Sequence, residues 1–173
     1  MSQAPTRLLF VCLGNICRSP AAEGVFLHQL AEAGLESSFE VDSAGTGSWH
    51  VGQPADRRMR AAAERRGIHL PSRARQLTVA DLQTFDHILT MDAENLAAVR
   101  TLGRRTPRRA AITPLLQYGR RFSQQEVPDP YYGGEAGFDH VLDLLEDACA
   151  GLLTALLAER RNGLPPESPA PSP

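Results

Sequence analysis

The chain has 173 residues, of which 42% are hydrophobic and 22% are charged, and its formal net charge is -2. This length and balance are typical of one globular domain with its own core. The small net charge argues against a general nucleic-acid-binding protein, so we expect no nucleic-acid partner. The cysteines number three, and two of them lie within one short turn, which argues against the disulfide framework of a small secreted protein.

The apolar segments of the sequence are short. None reaches the roughly 18 apolar residues of a membrane-spanning helix, and the N-terminal segment MSQAPTRLLFVCLGN lacks the long apolar run of a signal peptide. We therefore expect a cytoplasmic protein without membrane insertion. Export by a non-classical route would leave no mark in the sequence and stays open.

Strand-like segments alternate with helical segments along the chain. The predicted buried strands are RLLFV (7–11), FEVDSAGT (39–46), DHILTM (86–91) and AAIT (110–113), with a further short strand before Thr78. The predicted helices cover 19–34, 54–67, a short stretch after Thr78, 93–103 and 138–161. This alternation predicts a single α/β domain, a four-stranded parallel sheet with helices on both faces.

Cap residues sharpen three of these boundaries. Ser19 is predicted to cap the first helix and Gly34 to end it, and Asp92 to cap the helix after the third strand. The Pro- and Ser-rich segment LPPESPAPSP predicts a disordered tail over residues 163–173.

The segment CLGNICRS follows the first predicted strand, at the edge of the sheet where α/β proteins bind ligands. Gly14 and Asn15 tolerate a tight turn, and a loop curled in this way points several backbone N–H groups inward and binds anions. The next helix adds its positive end, and Arg18 adds a planar group that grips two phosphate oxygens. The sequence therefore predicts a phosphate-binding loop after the first strand.

Cys12 begins this loop. Helix N-termini and neighbouring cations favour the nucleophilic thiolate over the thiol, and Ser19 is placed to donate a hydrogen bond to it. A leaving oxygen also needs a proton, and the best acid is Asp129 in the stiff segment PDPYY. Together these residues predict phosphoryl transfer without a metal, with Cys12 as nucleophile and Arg18 as clamp.

Simpler interpretations stay open for several positions. Asp129 is equally compatible with a turn former, because Asp-Pro commonly starts turns. Ser43 fits a strand end, and Trp49 fits an ordinary half-buried aromatic residue. Cys149 lies on the apolar stripe of the last helix and is interpreted as a core residue. The arginines within 57–75 are interpreted as solvated helix surface, and attraction of acidic phosphopeptides stays open as the alternative.

Three segments, VCLGNICRSPAAE, DSAGTGSWHVGQPAD and DPYYGG, together resemble the low-molecular-weight protein tyrosine phosphatases. The resemblance implies a phosphatase domain over residues 1–162 without a cofactor. It also implies tyrosine-phosphorylated protein substrates and a monomer or weak dimer.

The resemblance implies a role for each matching position. Cys12 becomes a phosphocysteine, Arg18 binds the phosphoryl oxygens, and Asp129 protonates the leaving oxygen and then activates water. Ser43, with Asn15 and Ser19, supports the loop. The implied substrate-binding positions are Leu13, Gly14, Asn15, Ile16, Cys17, Ser19, Trp49, Tyr131 and Tyr132.

Three loop-related positions carry further implications of the resemblance. Cys17 resembles a second cysteine that forms a disulfide with Cys12 under oxidation. Ile16 is typical of the tyrosine-specific enzymes, because related bacterial enzymes that act on phosphoarginine carry Thr there. Ser72 departs from many relatives, which carry a loop-supporting His, and this departure affects fine tuning and not the reaction.

Two other functions were weighed against the phosphatase. Arsenate reduction on a similar scaffold needs two further cysteines near the third strand, and DHILTMDAENL has none. A phosphotyrosine-binding module without turnover would need neither Cys12 nor Asp129, and both are present.

Overall fold

A computed structural model of the chain describes residues 3–163. Its strands are β1 (Thr6–Cys12), β2 (Phe39–Gly45), β3 (His87–Thr90) and β4 (Ala111–Pro114). Its helices are α1 (Arg18–Ala33), α2 (Arg57–Glu64), α3 (Val79–Thr84), α4 (Ala93–Leu102) and α5 (Glu135–Asn162), with short 3-10 helices at Glu36–Ser38 and Leu115–Tyr118. The strands pair in parallel in the order β2-β1-β3-β4, so the predicted four-stranded α/β fold is confirmed. All but the first residue of the predicted tail lies outside the described residues.

The central strand β1 is buried on both faces. Leu8 and Phe10 pack in the larger core cluster, which includes apolar residues of α1 and α5. Leu9 and Val11 point the other way, into a smaller cluster with apolar residues of α3 and α4. This two-sided burial explains why the strand is a continuous apolar run rather than an alternating one.

The sheet reverses its order between β1 and β3. The chain runs from β1 outward to β2 and then crosses to β3 on the other side of β1. Such a reversal opens a crevice at the carboxyl ends of the two strands. Cys12, the last residue of β1, lies at this crevice.

Several predicted boundaries move in the structure. The helix α1 begins at Arg18, so Ser19 lies inside it and is not its cap. The helix α2 begins three residues after Pro54, because Asp56 caps it by accepting from the N–H groups of Arg58 and Met59 at 2.8 and 3.3 Å. The helix α5 begins three residues earlier than predicted.

Of the remaining boundary predictions, one is wrong and two are confirmed. The strand predicted before Thr78 is wrong, since that segment forms only isolated bridges, one of them between Gly45 and Gln76. Gly34 ends α1 in the left-handed conformation at φ 69°, as predicted. Asp92 caps α4 by accepting from the N–H of Asn95 at 2.8 Å, also as predicted.

Candidate active site

Residues 13–17 form a tight loop between β1 and α1. Asn15 has φ 57°, a left-handed conformation that Asn tolerates better than most residues. This turn points the Asn15 backbone N–H at the Cys12 sulfur, 3.3 Å away. Cys12 and Arg18 are 2% and 3% exposed, so the loop holds both reactive groups at its base.

Hydrogen bonds around Asn15 fix the direction in which protons are donated. The Asn15 side-chain oxygen accepts from the backbone N–H of Arg75 at 3.0 Å, so its Nδ2 is the donor. That nitrogen donates to the Ser19 hydroxyl oxygen at 2.7 Å and to that of Ser43 at 3.0 Å. Ser19 therefore turns its own proton toward the Cys12 sulfur, 3.0 Å away. A donor at this position stabilises the thiolate.

Glu23 terminates this network and was missed as a site residue by the sequence analysis. The Ser43 hydroxyl donates to the Glu23 carboxyl at 2.6 Å. Burial raises the pKa of Glu23, and hydrogen bonds from Ser43 and Ser72 partly oppose that rise. Ser72, the position at which the sequence departs from many relatives, thus enters the network through its hydroxyl. A lone Glu in a helix sequence gives no signal of such burial.

Arg18 is held along one edge of its guanidinium group. Its Nη1 donates to the Asp92 carboxylate at 2.6 Å and to the Val127 carbonyl at 3.0 Å. Burial works against its charge, but the Cys12 sulfur and Asp92 outweigh burial and raise the pKa of Arg18 above its ordinary value. The group therefore remains a cation beside the Cys12 sulfur.

Asp129 approaches the other terminal nitrogen of the Arg18 guanidinium group. One of its oxygens accepts from the Tyr131 N–H at 3.1 Å, and the other lies 3.8 Å from Arg18 Nη2. The turn-forming and acid interpretations are thus compatible. The carboxyl group remains 40% exposed, accessible to a substrate oxygen.

One cleft of about 440 Å³ joins these groups. It is lined by Cys12, Leu13, Gly14, Ile16, Cys17, Arg18, Trp49, His50, Asp129, Tyr131 and Tyr132. Trp49 and Tyr132 are 70% and 93% exposed, so the half-buried interpretation of Trp49 is wrong. His50 was not predicted. Asn15 and Ser19, also predicted to bind substrate, do not line this cleft, and with Ser43 they form the hydrogen-bond network that supports the loop. A larger cavity of about 500 Å³, beside residues 67–73, contains none of the predicted catalytic residues.

The other two thiols differ from Cys12. Cys17 lines the cleft but is only 4% exposed. Burial, followed by the nearby Asp56 carboxylate, raises the pKa of Cys17 far above its ordinary value, so this group stays a neutral thiol. Cys149 is fully buried in the core, as predicted.

Most arginines within 57–75 lie exposed at the surface, as interpreted, but two partly buried ones form ion pairs that join elements of the fold. Arg75 pairs with Asp42 and Asp81, each at 3.0 Å, and so fastens the segment that supports Asn15. Arg66 pairs with Asp143 of α5 at 2.9 Å. Their charges join elements of the fold.

The described residues contain neither a metal-binding cluster nor a membrane-spanning helix. Over residues 3–163, no group of three or more His, Cys, Asp or Glu side chains is arranged to hold a metal ion. Within the same span, every helix is too short or too polar to cross a membrane.

Comparison with known proteins agrees with this geometry. Residues 7–162 match the sequence model of the family Low molecular weight phosphotyrosine protein phosphatase. A Synechocystis protein assigned to the same class of enzyme is 49% identical over 156 residues, covering 90% of this chain and 99% of the relative.

Solved structures give the same result. A protein tyrosine phosphatase from Entamoeba histolytica, solved with Hepes in its active site, matches with a TM-score of 0.82 and 41% identity over 90% of this chain and 99% of its own. A Drosophila arginine phosphatase matches with a TM-score of 0.81 and 30% identity over 86% of this chain and 96% of its own. The chain therefore belongs to the low molecular weight phosphotyrosine protein phosphatases and is a phosphatase enzyme.

Proposed function

We propose that this phosphatase hydrolyses phosphotyrosine in proteins through a phosphocysteine intermediate. The observation that carries the proposal is that a buried thiol, a fixed guanidinium and a carboxyl group all open onto one cleft with aromatic walls. These are the nucleophile, the charge clamp and the acid that phosphoryl transfer needs.

The first step transfers the phosphoryl group to sulfur. The Cys12 thiolate attacks phosphorus, an S–P bond forms, and the bond from phosphorus to the tyrosine oxygen breaks. Asp129 gives its proton to that oxygen, so tyrosine leaves as a neutral phenol. Arg18 and backbone N–H groups of the loop bind the equatorial oxygens, which carry the negative charge.

The second step regenerates the enzyme. Asp129, now ionised, takes a proton from water as that water attacks phosphorus. The S–P bond breaks, the thiolate returns to Cys12, and inorganic phosphate leaves. Ser19 assists this step because its hydroxyl, 3.0 Å from the sulfur, stabilises the departing thiolate.

The cleft favours an aromatic phosphate ester. Trp49 and Tyr131 offer flat faces on which a phenyl ring stacks, and Ile16 adds an apolar edge. Because one structural neighbour acts on arginine, membership in the family does not itself choose the substrate. We expect phosphotyrosine to be hydrolysed much faster than phosphoarginine, and a direct comparison of kcat/KM for the two tests this.

Hydrolysis of p-nitrophenyl phosphate and of a phosphotyrosine peptide tests the mechanism. Cys12→Ser is expected to abolish turnover and retain phosphate binding. Asp129→Ala is expected to slow turnover by about 10²–10⁴-fold, most for poor leaving groups. Cys149→Ala, at a thiol far from the cleft, is the control. Native-rate turnover by Asp129→Ala would overturn the acid assignment, and an inert wild-type protein that binds phosphotyrosine would favour the binding-module alternative.

A further inference from the structure

The loop that carries Asp129 has few anchors of its own. On its N-terminal side the Val127 N–H donates to the Met91 carbonyl at 2.8 Å. On its C-terminal side, residues 132–136 are exposed and include two adjacent glycines. Between them, the Tyr131 carbonyl accepts a hydrogen bond at 2.9 Å from Nη2 of Arg58, in the first turn of α2. A distant helix therefore holds the loop at the residue that also positions the acid.

The Arg58 guanidinium is itself placed by two aromatic rings. Its central carbon lies 5.5 Å from the centre of the Tyr131 ring and 4.7 Å from that of Phe138. Both distances are within the range of cation–π attraction. The side chain thus contacts the start of α5 and the cleft wall together.

Asp56 orients Arg58 and connects it to the phosphate-binding loop. The Asp56 carboxylate accepts from Arg58 Nε at 3.2 Å and Nη2 at 3.1 Å. Burial disfavours its charge, but the bonds from Arg58 and Met59 outweigh burial and hold the pKa of Asp56 below its ordinary value. The Asp56 N–H donates to the Ile16 carbonyl at 2.7 Å, so Asp56 is bonded directly to the loop that contains Cys12.

The backbone of Tyr131 makes the last connection. Its carbonyl accepts from Arg58, and its N–H, in the preceding peptide group, donates to Asp129 Oδ1 at 3.1 Å. We propose that Arg58, oriented by Asp56, is a positioning residue that fixes the reach of Asp129 toward the leaving oxygen. This inference rests on the proposed acid role of Asp129.

The substitution Arg58→Met separates positioning from stability. Met keeps an apolar stem against Tyr131 and Phe138 and loses the charge and all donors. Because the Arg58 side chain is 43% exposed, its ion pair adds little to stability. We expect an unchanged melting temperature and a kcat/KM for phenyl phosphate lowered by about tenfold, because kcat/KM reports the first step, in which the leaving oxygen is protonated, and small displacements of an acid are costly. The loss for p-nitrophenyl phosphate, whose leaving group needs less protonation, is expected to be smaller.

Two controls make the result specific. Arg57→Met, at the neighbouring exposed arginine, is expected to keep the wild-type dependence on the leaving group. In an Asp129→Ala background, Arg58→Met is expected to cause no further loss, because Arg58 acts through the acid. An equal loss in both backgrounds, or an equal loss for both leaving groups, overturns the inference.

The outcome also separates this inference from the proposed function. If Asp129→Ala does not steepen the leaving-group dependence, the acid assignment fails. If Asp129→Ala steepens it and Arg58→Met does not, only the role of Arg58 fails. If Arg58→Met has a lowered melting temperature, Arg58→Lys is compared in the same way, with both leaving groups and in both backgrounds, and the same outcomes decide. We expect an intermediate loss for Arg58→Lys, because Lys keeps the charge and loses the paired donors.

Discussion

The Asp92 carboxylate lies 2.6 Å from Nη1 of Arg18 and also accepts from the Asn95 N–H at 2.8 Å. One side chain therefore begins α4 and holds Arg18, the proposed phosphate clamp. The two residues are 74 positions apart in sequence and meet because β1 and β3 are neighbours in the sheet.

Substitutions of Asp92 should separate its two roles. Asp92→Ala removes the cap and leaves a buried Arg18 without its closest carboxylate, so we expect a loss of about 3 kcal/mol in unfolding free energy. We also expect kcat/KM for p-nitrophenyl phosphate to fall at least about tenfold, because the clamp loses its orientation. Asp92→Asn keeps a cap and an acceptor, and smaller losses are expected. Urea unfolding and steady-state kinetics measure both effects, with exposed Glu94→Ala as the control. Wild-type kcat/KM in Asp92→Ala would contradict this role.

These residues show which features of the fold and the site can be predicted from the sequence. Local patterns predicted the strands of the sheet, the end of α1 at Gly34 and the capping of α4 by Asp92. Each of these features depends on residues close together in the chain. They missed the pairing of Asp92 with Arg18, the burial of Glu23 and the contact between Arg58 and Tyr131. Each of these joins segments that only the tertiary fold brings together.

The loop around Cys12 likewise combines features that local patterns predicted with one that they missed. The turn chemistry of Gly14 and Asn15 predicted the curled loop, and the predicted donation by Ser19 to the sulfur agrees with the geometry. The cap role of Ser19 was wrong because its hydroxyl is occupied by Asn15 and Cys12 inside the site. The preference of Ser for the helix cap was overridden here by hydrogen bonds with residues of the buried network.

Removing the Ser19 hydroxyl should slow the second chemical step most, because the sulfur departs there as a thiolate. The thiolate loses a charge-assisted hydrogen bond, whose contribution of about 1.5–3 kcal/mol corresponds to a roughly 10–100-fold lower rate. For Ser19→Ala we expect slower alkylation by iodoacetate at neutral pH and accumulation of phosphocysteine in rapid-quench experiments. Ser37→Ala, at an exposed serine, is the control. Alkylation at the wild-type rate would show that Ser19 does not stabilise the sulfur.

Glu23 should make stability depend on pH in an unusual direction for a carboxyl group. Burial raises its folded-state pKa above the ordinary value of about 4.3, so the folded protein binds this proton more tightly than the unfolded chain does. Its contribution is fully present below the ordinary value and is lost as pH rises through the raised pKa. Asp56 and Asp81, whose pKa values are lowered mainly by bonds from arginine that outweigh burial, act in the opposite direction.

A comparison with Glu23→Gln isolates this effect. Gln keeps an acceptor for Ser43 but does not titrate, so the wild-type protein should lose stability relative to the variant as pH rises from about 4 toward neutrality. Urea unfolding of both proteins over a pH series gives this difference, and exposed Glu36→Gln is the control. A difference that is constant across the series, or that has the opposite slope, would refute the assignment.

Cys17 should respond to oxidation at a rate set by its own ionisation. We expect peroxide to oxidise the Cys12 thiolate to a sulfenic acid, and attack by the Cys17 thiolate to form the disulfide with loss of the sulfenic oxygen as water. Since burial raises the pKa of Cys17, little of it is ionised at neutral pH, and disulfide formation should accelerate as pH rises. Mass spectrometry after a peroxide pulse measures that rate. In Cys17→Ala, the sulfenic acid of Cys12 should proceed to sulfinic acid under the remaining peroxide, so dithiothreitol should not restore activity. In Cys149→Ala, dithiothreitol should restore activity normally. Full recovery of Cys17→Ala would show that Cys17 does not protect the nucleophile.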